Sequence, residues 1–220
     1  MSVKEVRLLI NAIGLYSNLY ALKNINSTAL QNPYSLGFGG QYQYLTILGL
    51  VTATIAFGLK ILRYFVPTFS SVIYTIVTNI ATPMEGLISV LYWSMLLIDP
   101  RLLVPEDLPR IPLLLDFTLH LFPAIFLWID FLMFDIDFVR SNAHVLLIYS
   151  FTLFYFIWSS YCHSKNGYWP YPFLGDFTLW MRIGFFVMSG VLCWGMYELG
   201  AAVHARLHRK PLVKSARLKQ

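Results

Sequence analysis

Charge is scarce in this sequence. Only 12% of its 220 residues are Asp, Glu, Lys or Arg, about half the share of an ordinary soluble domain. No tract is polar enough to form a separate soluble domain. Cysteine is scarce too: Cys162 and Cys193 are the only two. They fall at different depths of different apolar segments, which excludes a disulfide between them. Metal-ligand spacing is lacking. His120 lies on one segment and His144 and His163 at opposite ends of another, so neither a metal nor another cofactor is expected. Gly39-Gly40 heads an apolar run, and no phosphate loop follows. No internal repeat and no low-complexity tract breaks the chain. No basic stripe suggests nucleic acid, because the net charge of +5 comes mostly from the C-terminal end.

What remains is apolar. Hydrophobic residues make up 57% of the chain, aromatic residues 17%, and mean hydropathy is +0.61. Six runs are near or above the length that crosses a bilayer. They are Val6–Leu22, Tyr42–Leu59, Ser70–Ile98, Leu113–Phe134, His144–Cys162 and Phe177–Val203. The expected fold is all-α, a polytopic transmembrane bundle over residues 1–203 with a basic tail over 204–220. The third and sixth runs are long enough to tilt, or to kink at Pro83 in the third. The first is followed by Lys-Asn-Ile-Asn rather than a small-residue cleavage site, so it reads as a span.

Lys and Arg orient the spans. With six spans, one side holds Lys4, Arg7, Lys60, Arg63, Arg140 and the tail residues Arg206, Arg209, Lys210, Lys214, Arg217 and Lys219. The other holds Lys23, Arg101, Arg110 and Lys165, with Arg182 inside the last span. Both termini are therefore expected on the cytoplasmic side. The tail reads as a topology signal that can also touch anionic lipid. Asn26-Ser27-Thr28 is a glycosylation triplet expected in a loop on the far side.

Ionisable residues at membrane depth are costly, and each is a functional candidate. Glu85, Asp116, His120 and Asp130 qualify, with Arg182 nearer an interface. Thr46 lies roughly 6 Å inside the second span and His120 roughly 10 Å inside the fourth, both from the non-cytoplasmic side. Asp116 is four residues before His120, on the same helix face. Asp130 belongs near the opposite end, and Glu85 near the middle. A hydroxyl, an imidazole and a carboxylate in one layer suit nucleophilic acyl transfer, with His120 as base and Asp116 as its orienting group. The plainer role for Thr46 is a hydrogen bond to the Tyr42 carbonyl four residues back. For His120 it is an interhelical hydrogen bond. Tyr42, Tyr44, Trp169 and Tyr171 fit an interfacial aromatic belt, and the Tyr44 hydroxyl is also a candidate oxyanion donor.

Several segments resemble one family. Gly39-Gly40-Gln-Tyr-Gln-Tyr44-Leu45-Thr46 resembles a GG-x-[WY]-x-[YF]-L-T motif. Tyr92-Trp93 with Asp99-Pro-Arg101-Leu-Leu-Val-Pro105 is similar to FW…DR-x-LV-x-P. Leu119-His120-Leu-Phe-Pro123 is similar to M-H-x-x-x-P, and Gly167-Tyr-Trp169-Pro-Tyr171-Pro172-Phe-Leu174 to G-x-W-x-YPFL. Tyr197-Glu-Leu-Gly200 is similar to Y-x-LG. These motifs, collinear over residues 37–200, are those of the androgen-induced, FAR-type family of membrane proteins. The resemblance implies a six-span threonine hydrolase of the endoplasmic reticulum membrane. It implies lipid ester substrates drawn from the bilayer, namely fatty acid esters of hydroxy fatty acids. Thr46 would be the nucleophile and His120 the base. Asp116 and Phe117 stand where many members carry Asn and His, Gln43 where many carry a cation, and Asp130 matches an acidic position. A rival expectation is a non-enzymatic lipid-binding or transport protein that uses Glu85, Asp130 and Arg182 as its polar site.

Overall fold

A computed structural model describes residues 1–29, 33–69, 72–104, 108 and 110–208. The elements are α1 (Val3–Ala29), α2 (Leu45–Phe65), α3 (Val72–Ile98), α4 (Leu113–His120), α5 (Phe122–Phe134), α6 (Asn142–Asn166), α7 (Phe173–Asp176) and α8 (Leu179–Leu207). Short 3-10 turns occupy Pro33–Leu36, Gly40–Gln43 and Pro100–Leu102. No strand occurs among the described residues. Of the expected tail, residues 209–220 lie outside the described residues, as do Ser70 and Pro105.

Five segments are long and apolar enough to cross a membrane: α2, α3, the α4–α5 pair, α6 and α8. The sixth expected span, the first, is helical over Val3–Ala29 but is not among them. Its sequence explains why. Lys4, Glu5, Arg7, Asn11, Asn18, Lys23 and Asn24 interrupt it, and several of these side chains point into the protein. Asn11 donates to Asp130 at 2.7 Å, and Asn18 to the Leu50 carbonyl at 3.4 Å. Helix α1 therefore docks on its neighbours through polar contacts as well as through Leu15, Ala21 and Leu22, which pack on the buried clusters. Asn26–Thr28, expected in a loop, belongs to the last turns of this helix.

Helix α2 packs on α1 and α3, α1 on α5, and α3 and α6 on α8. Ala53, Ala56, Phe57, Ala81 and Leu127 form one fully buried cluster, where the small residues let α2, α3 and α5 approach closely. Helix α3 runs through Pro83 without ending. The fourth span behaves differently. It breaks at Leu121 (φ −126°, ψ −54°), between α4 and α5. Pro123 explains the break. It has no N–H to give the Leu119 carbonyl, and its ring would clash there. His120 is consequently the last residue of a short helix rather than part of a continuous one.

Candidate functional site

The stretch that carries Thr46 is held by its own turn. Gly39 (φ 85°) and Gly40 (φ 52°) take left-handed backbone, which glycine adopts without steric cost. A Cβ on Gly39 would come within 2.9 Å of the Cys162 Sγ. The 3-10 turn that follows is pinned from both sides. Gln43 Nε2 donates to the carbonyls of Tyr34 and Gly40 at 2.8 and 2.9 Å. Trp158 Nε1 donates to the Tyr42 carbonyl at 2.8 Å. Helix α2 starts only at Leu45, so Thr46 is its second residue.

That start removes the plainer role for Thr46. Thr52, Thr54, Thr78, Thr82 and Thr152 each bond the carbonyl four residues back. Thr46 has no such bond, because Tyr42 lies outside the helix and its carbonyl is taken by Trp158. The first-turn N–H of Leu45, which has no intrahelical acceptor, donates to the Tyr155 and Tyr171 hydroxyls at 3.0 and 3.1 Å. The Tyr171 hydroxyl also interacts with the Thr46 hydroxyl and the Thr46 N–H.

His120 is fixed on three sides. Its Nδ1 lies 2.7 Å from Asp116 Oδ1, with both side chains buried. Tyr92 stacks flat on the imidazole, with ring centroids 3.4 Å apart and planes 3° apart. The helix end at Leu121 fixes the backbone. An acceptor on Nδ1 selects the tautomer that carries its proton there, which leaves a lone pair free on Nε2.

Two cavities meet at these residues. The wide one, about 580 Å³, is lined by Tyr44, Thr46, Tyr92, His120, Tyr171 and Arg182 among others. The narrow one, about 80 Å³, runs among Met84, Leu87, Leu91, Phe151 and Phe186. Thr46, Tyr92, Leu103 and Tyr171 line both. The threonine therefore stands at the junction of a wide, mainly apolar chamber that carries polar groups such as His120 and Arg182 and a smaller apolar pocket. Arg182 sits over the Trp169 ring at 4.6 Å, and Trp169 stacks on His163 at 4.4 Å. All three border the wide cavity.

The remaining candidates lie elsewhere. Asp130 is fully buried, and it accepts from Arg7 Nε at 2.8 Å, Arg7 Nη2 at 3.1 Å and Asn11 Nδ2 at 2.7 Å. Lys60 also donates to it. Asp130 thus joins α1, α2 and α5 and lines neither cavity. Lys60, expected as a topology signal, is a buried member of this cluster. Glu85 is buried against Gly49, with its Oε1 lacking a hydrogen-bond partner, and it too lines neither cavity. The expected site of Glu85, Asp130 and Arg182 is therefore not assembled.

Reasoning from sequence missed Tyr92, Tyr155 and Tyr171. Their hydroxyls and rings were indistinguishable from an interfacial belt, although Tyr92 and Tyr171 both fall inside the motifs. The Asp99-Pro-Arg101 motif is local scaffolding. Asp99 caps the turn by accepting from the Arg101 N–H at 2.9 Å.

Comparison with known proteins agrees with this architecture. The chain is 29% identical to a UPF0641 membrane protein of Schizosaccharomyces pombe over 76% of each chain. It is 22% identical to the human androgen-induced gene 1 protein, covering 81% of this chain and 82% of that one. It is also 22% identical to the human androgen-dependent TFPI-regulating protein, covering 76% and 77%. No solved structure matches. The profile of the FAR-17a/AIG1-like proteins matches residues 6–205, nearly the whole chain, so this membrane protein belongs to that family.

Proposed function

We propose that the chain is an intramembrane hydrolase of lipid esters, with Thr46 as nucleophile and His120 as base. The observation that carries this reading is the position of Thr46, on the wall shared by the two cavities, one of which also holds the Asp116-anchored His120. An ester with a long acyl chain on one side and a polar, branched half on the other matches that pair of spaces. Fatty acid esters of hydroxy fatty acids are such molecules.

The chemistry proceeds in two halves. Thr46 Oγ1 adds to the ester carbonyl carbon and its proton passes to His120 Nε2. The tetrahedral intermediate expels the hydroxy-acid oxygen, which takes that proton from His120. Water then adds to the acyl-threonine and gives a proton to His120. Collapse releases the fatty acid and returns the proton to Thr46. Asp116 holds the imidazole in register and offsets its positive charge. Arg182 pairs with the free carboxylate of the substrate in the wide cavity. The membrane is that of the endoplasmic reticulum, with the basic tail beside anionic lipid.

The carrier alternative draws on no comparable arrangement. Asp130 is saturated by Arg7, Lys60 and Asn11, and Glu85 and Arg182 border no common space. The test is hydrolysis of hydroxy-fatty-acid esters, with labelling by a covalent serine/threonine-hydrolase probe. Membranes would carry wild type, Thr46→Ala or His120→Ala at matched expression. Wild type should be active and labelled, and both variants silent. Equal behaviour of all three would make Thr46 structural and end the hydrolase reading.

A further inference from the structure

Any hydrolase working through Thr46 must stabilise the negative oxygen formed when the hydroxyl adds to an ester. Preorganised donors aimed at that oxygen commonly contribute the largest single share of catalysis. The candidates are few at this junction. The Leu45 N–H is committed to two tyrosine hydroxyls. Tyr155 spends its own proton on the Gln43 carbonyl at 3.1 Å. Tyr44 meets the site through its ring, edge-on to Tyr171 at 5.8 Å.

Tyr171 is different. Its oxygen accepts from the Leu45 N–H, at the positive end of α2, and interacts with the Thr46 N–H. Among the described residues its own proton is committed to no carbonyl or carboxylate. The Thr46 hydroxyl lies beside it. A phenol that accepts from backbone N–H groups becomes a stronger donor, because hydrogen bonds in a chain polarise one another. Burial also pushes the Tyr171 phenol above its ordinary pKa, so it keeps its proton throughout the neutral range. Its ring lies on the wall common to both cavities, where the reacting carbonyl of a bound ester must sit.

We propose that Tyr171 is the oxyanion donor of this site, its hydroxyl held by the first turn of α2 and turned onto the carbonyl oxygen as Thr46 adds to the ester. The assignment rests on the hydrolase reading above. In the ground state the Tyr171 and Thr46 hydroxyls lie against each other. When Oγ1 bonds to the carbonyl carbon, the negative charge forms on the adjacent oxygen and the hydroxyl follows it. No proton is transferred from Tyr171. It gives a hydrogen bond that exists in the transition state and not in the bound ester.

The test uses the full-length protein with Tyr171→Phe, Tyr155→Phe and Thr46→Ala. Tyr171→Phe keeps the ring contacts with Tyr44 and Phe173 and deletes only the hydroxyl. Three quantities are read: kcat and KM for a hydroxy-fatty-acid ester, inhibition by a long-chain boronic acid, and binding of a non-cleavable ether analogue. A boronic acid captures the threonine as a tetrahedral anion, and the ether counts folded sites. Tyr171→Phe should lower kcat per ether-binding site by about 100-fold or more. It should weaken the boronate by a similar factor and leave ether affinity and KM within about threefold. Tyr155→Phe should lose less than about tenfold in kcat. Tyr171 is not the donor if its Phe variant keeps kcat within about threefold while Thr46→Ala is silent. A loss shared equally by ether, boronate and kcat would also overturn the proposal, since packing alone produces that pattern. Full activity in Thr46→Ala would bring down the hydrolase reading itself, a result distinct from either.

Discussion

Asp116 and Asp130 lie on the same apolar segment, both are buried, and sequence alone gives them equal standing. Their surroundings separate them. Asp130 is ringed by a guanidinium, an ammonium and an amide drawn from α1 and α2. Asp116 has the His120 imidazole as its hydrogen-bonded partner, at the wall of a large cavity. A buried carboxylate saturated by cations holds helices together. One that meets no cation but a histidine, with the Tyr92 hydroxyl beside it, at the edge of open space sets the orientation and tautomer of that histidine. Buried charge alone therefore does not mark a site; the number of cations around it and the presence of a cavity do.

The comparison breaks most decisively at the residues that Asp116 serves. His120→Ala and Thr46→Ala should each lower turnover by about 10³-fold or more while leaving the protein folded, read as kcat against thermal stability in detergent. At the other carboxylate the outcome reverses. Asp130→Ala strands Arg7 and Lys60 in a buried place, and removing one partner of such a cluster costs about 3–5 kcal/mol. The melting temperature should fall sharply, with kcat per folded molecule nearly unchanged. A loss of turnover at full stability would put Asp130 in the chemistry and dissolve the distinction.

Asp116→Asn sharpens it further. The amide can still meet His120 Nδ1, but it favours the wrong tautomer and no longer offsets the imidazolium charge. Turnover should fall by about 100-fold with little change in melting temperature. Arg182→Gln is a smaller effect. The residue is partly exposed and stacked on Trp169, so its pairing with a carboxylate is worth about 1 kcal/mol. KM for an ester with a free carboxylate should rise by about fivefold. KM for the corresponding methyl ester should not move.

Much of this was legible in the sequence, for identifiable reasons. Span positions follow from apolar run length, and four of the six expected starts fall within two residues of the observed helices. Thr46 and His120 were paired by depth, which needs only topology and helical rise. The first helix was harder. Its asparagines are counted as polar interruptions in a linear reading, yet Asn11 faces α5 and Asn18 faces α2, so both belong to the packing surface. The Asp116–His120 contact was legible as a spacing but not as a strength. The break at Leu121 that leaves His120 ending α4 comes from Pro123, three residues beyond it. The tyrosines were invisible as site residues because a hydroxyl's role depends on what its proton meets, and Tyr155 and Tyr171 meet Leu45 from more than a hundred residues away.

Glu85 supplies the smallest expected effect and the most direct test against a carrier. It is buried to 1% exposure in the middle of α3. Burying an ionised carboxylate without a cation is prohibitive, and no cation pairs with it among the described residues. Its Oε1 has no hydrogen-bond partner, and neither cavity reaches it. Glu85→Gln preserves the shape against Gly49 and Ile88 and removes only the capacity to ionise. Since the proposed chemistry passes no proton through this position, ester turnover should change by less than about threefold. A proton- or ion-coupled carrier depends on ionisation at membrane depth, so there the same exchange would stop lipid movement while Thr46→Ala left it intact. The two variants measured side by side, for hydrolysis and for lipid transfer, give opposite patterns under the two functions. In the hydrolase the residue that matters is the threonine that lines the cavities, and the buried glutamate between helices is dispensable.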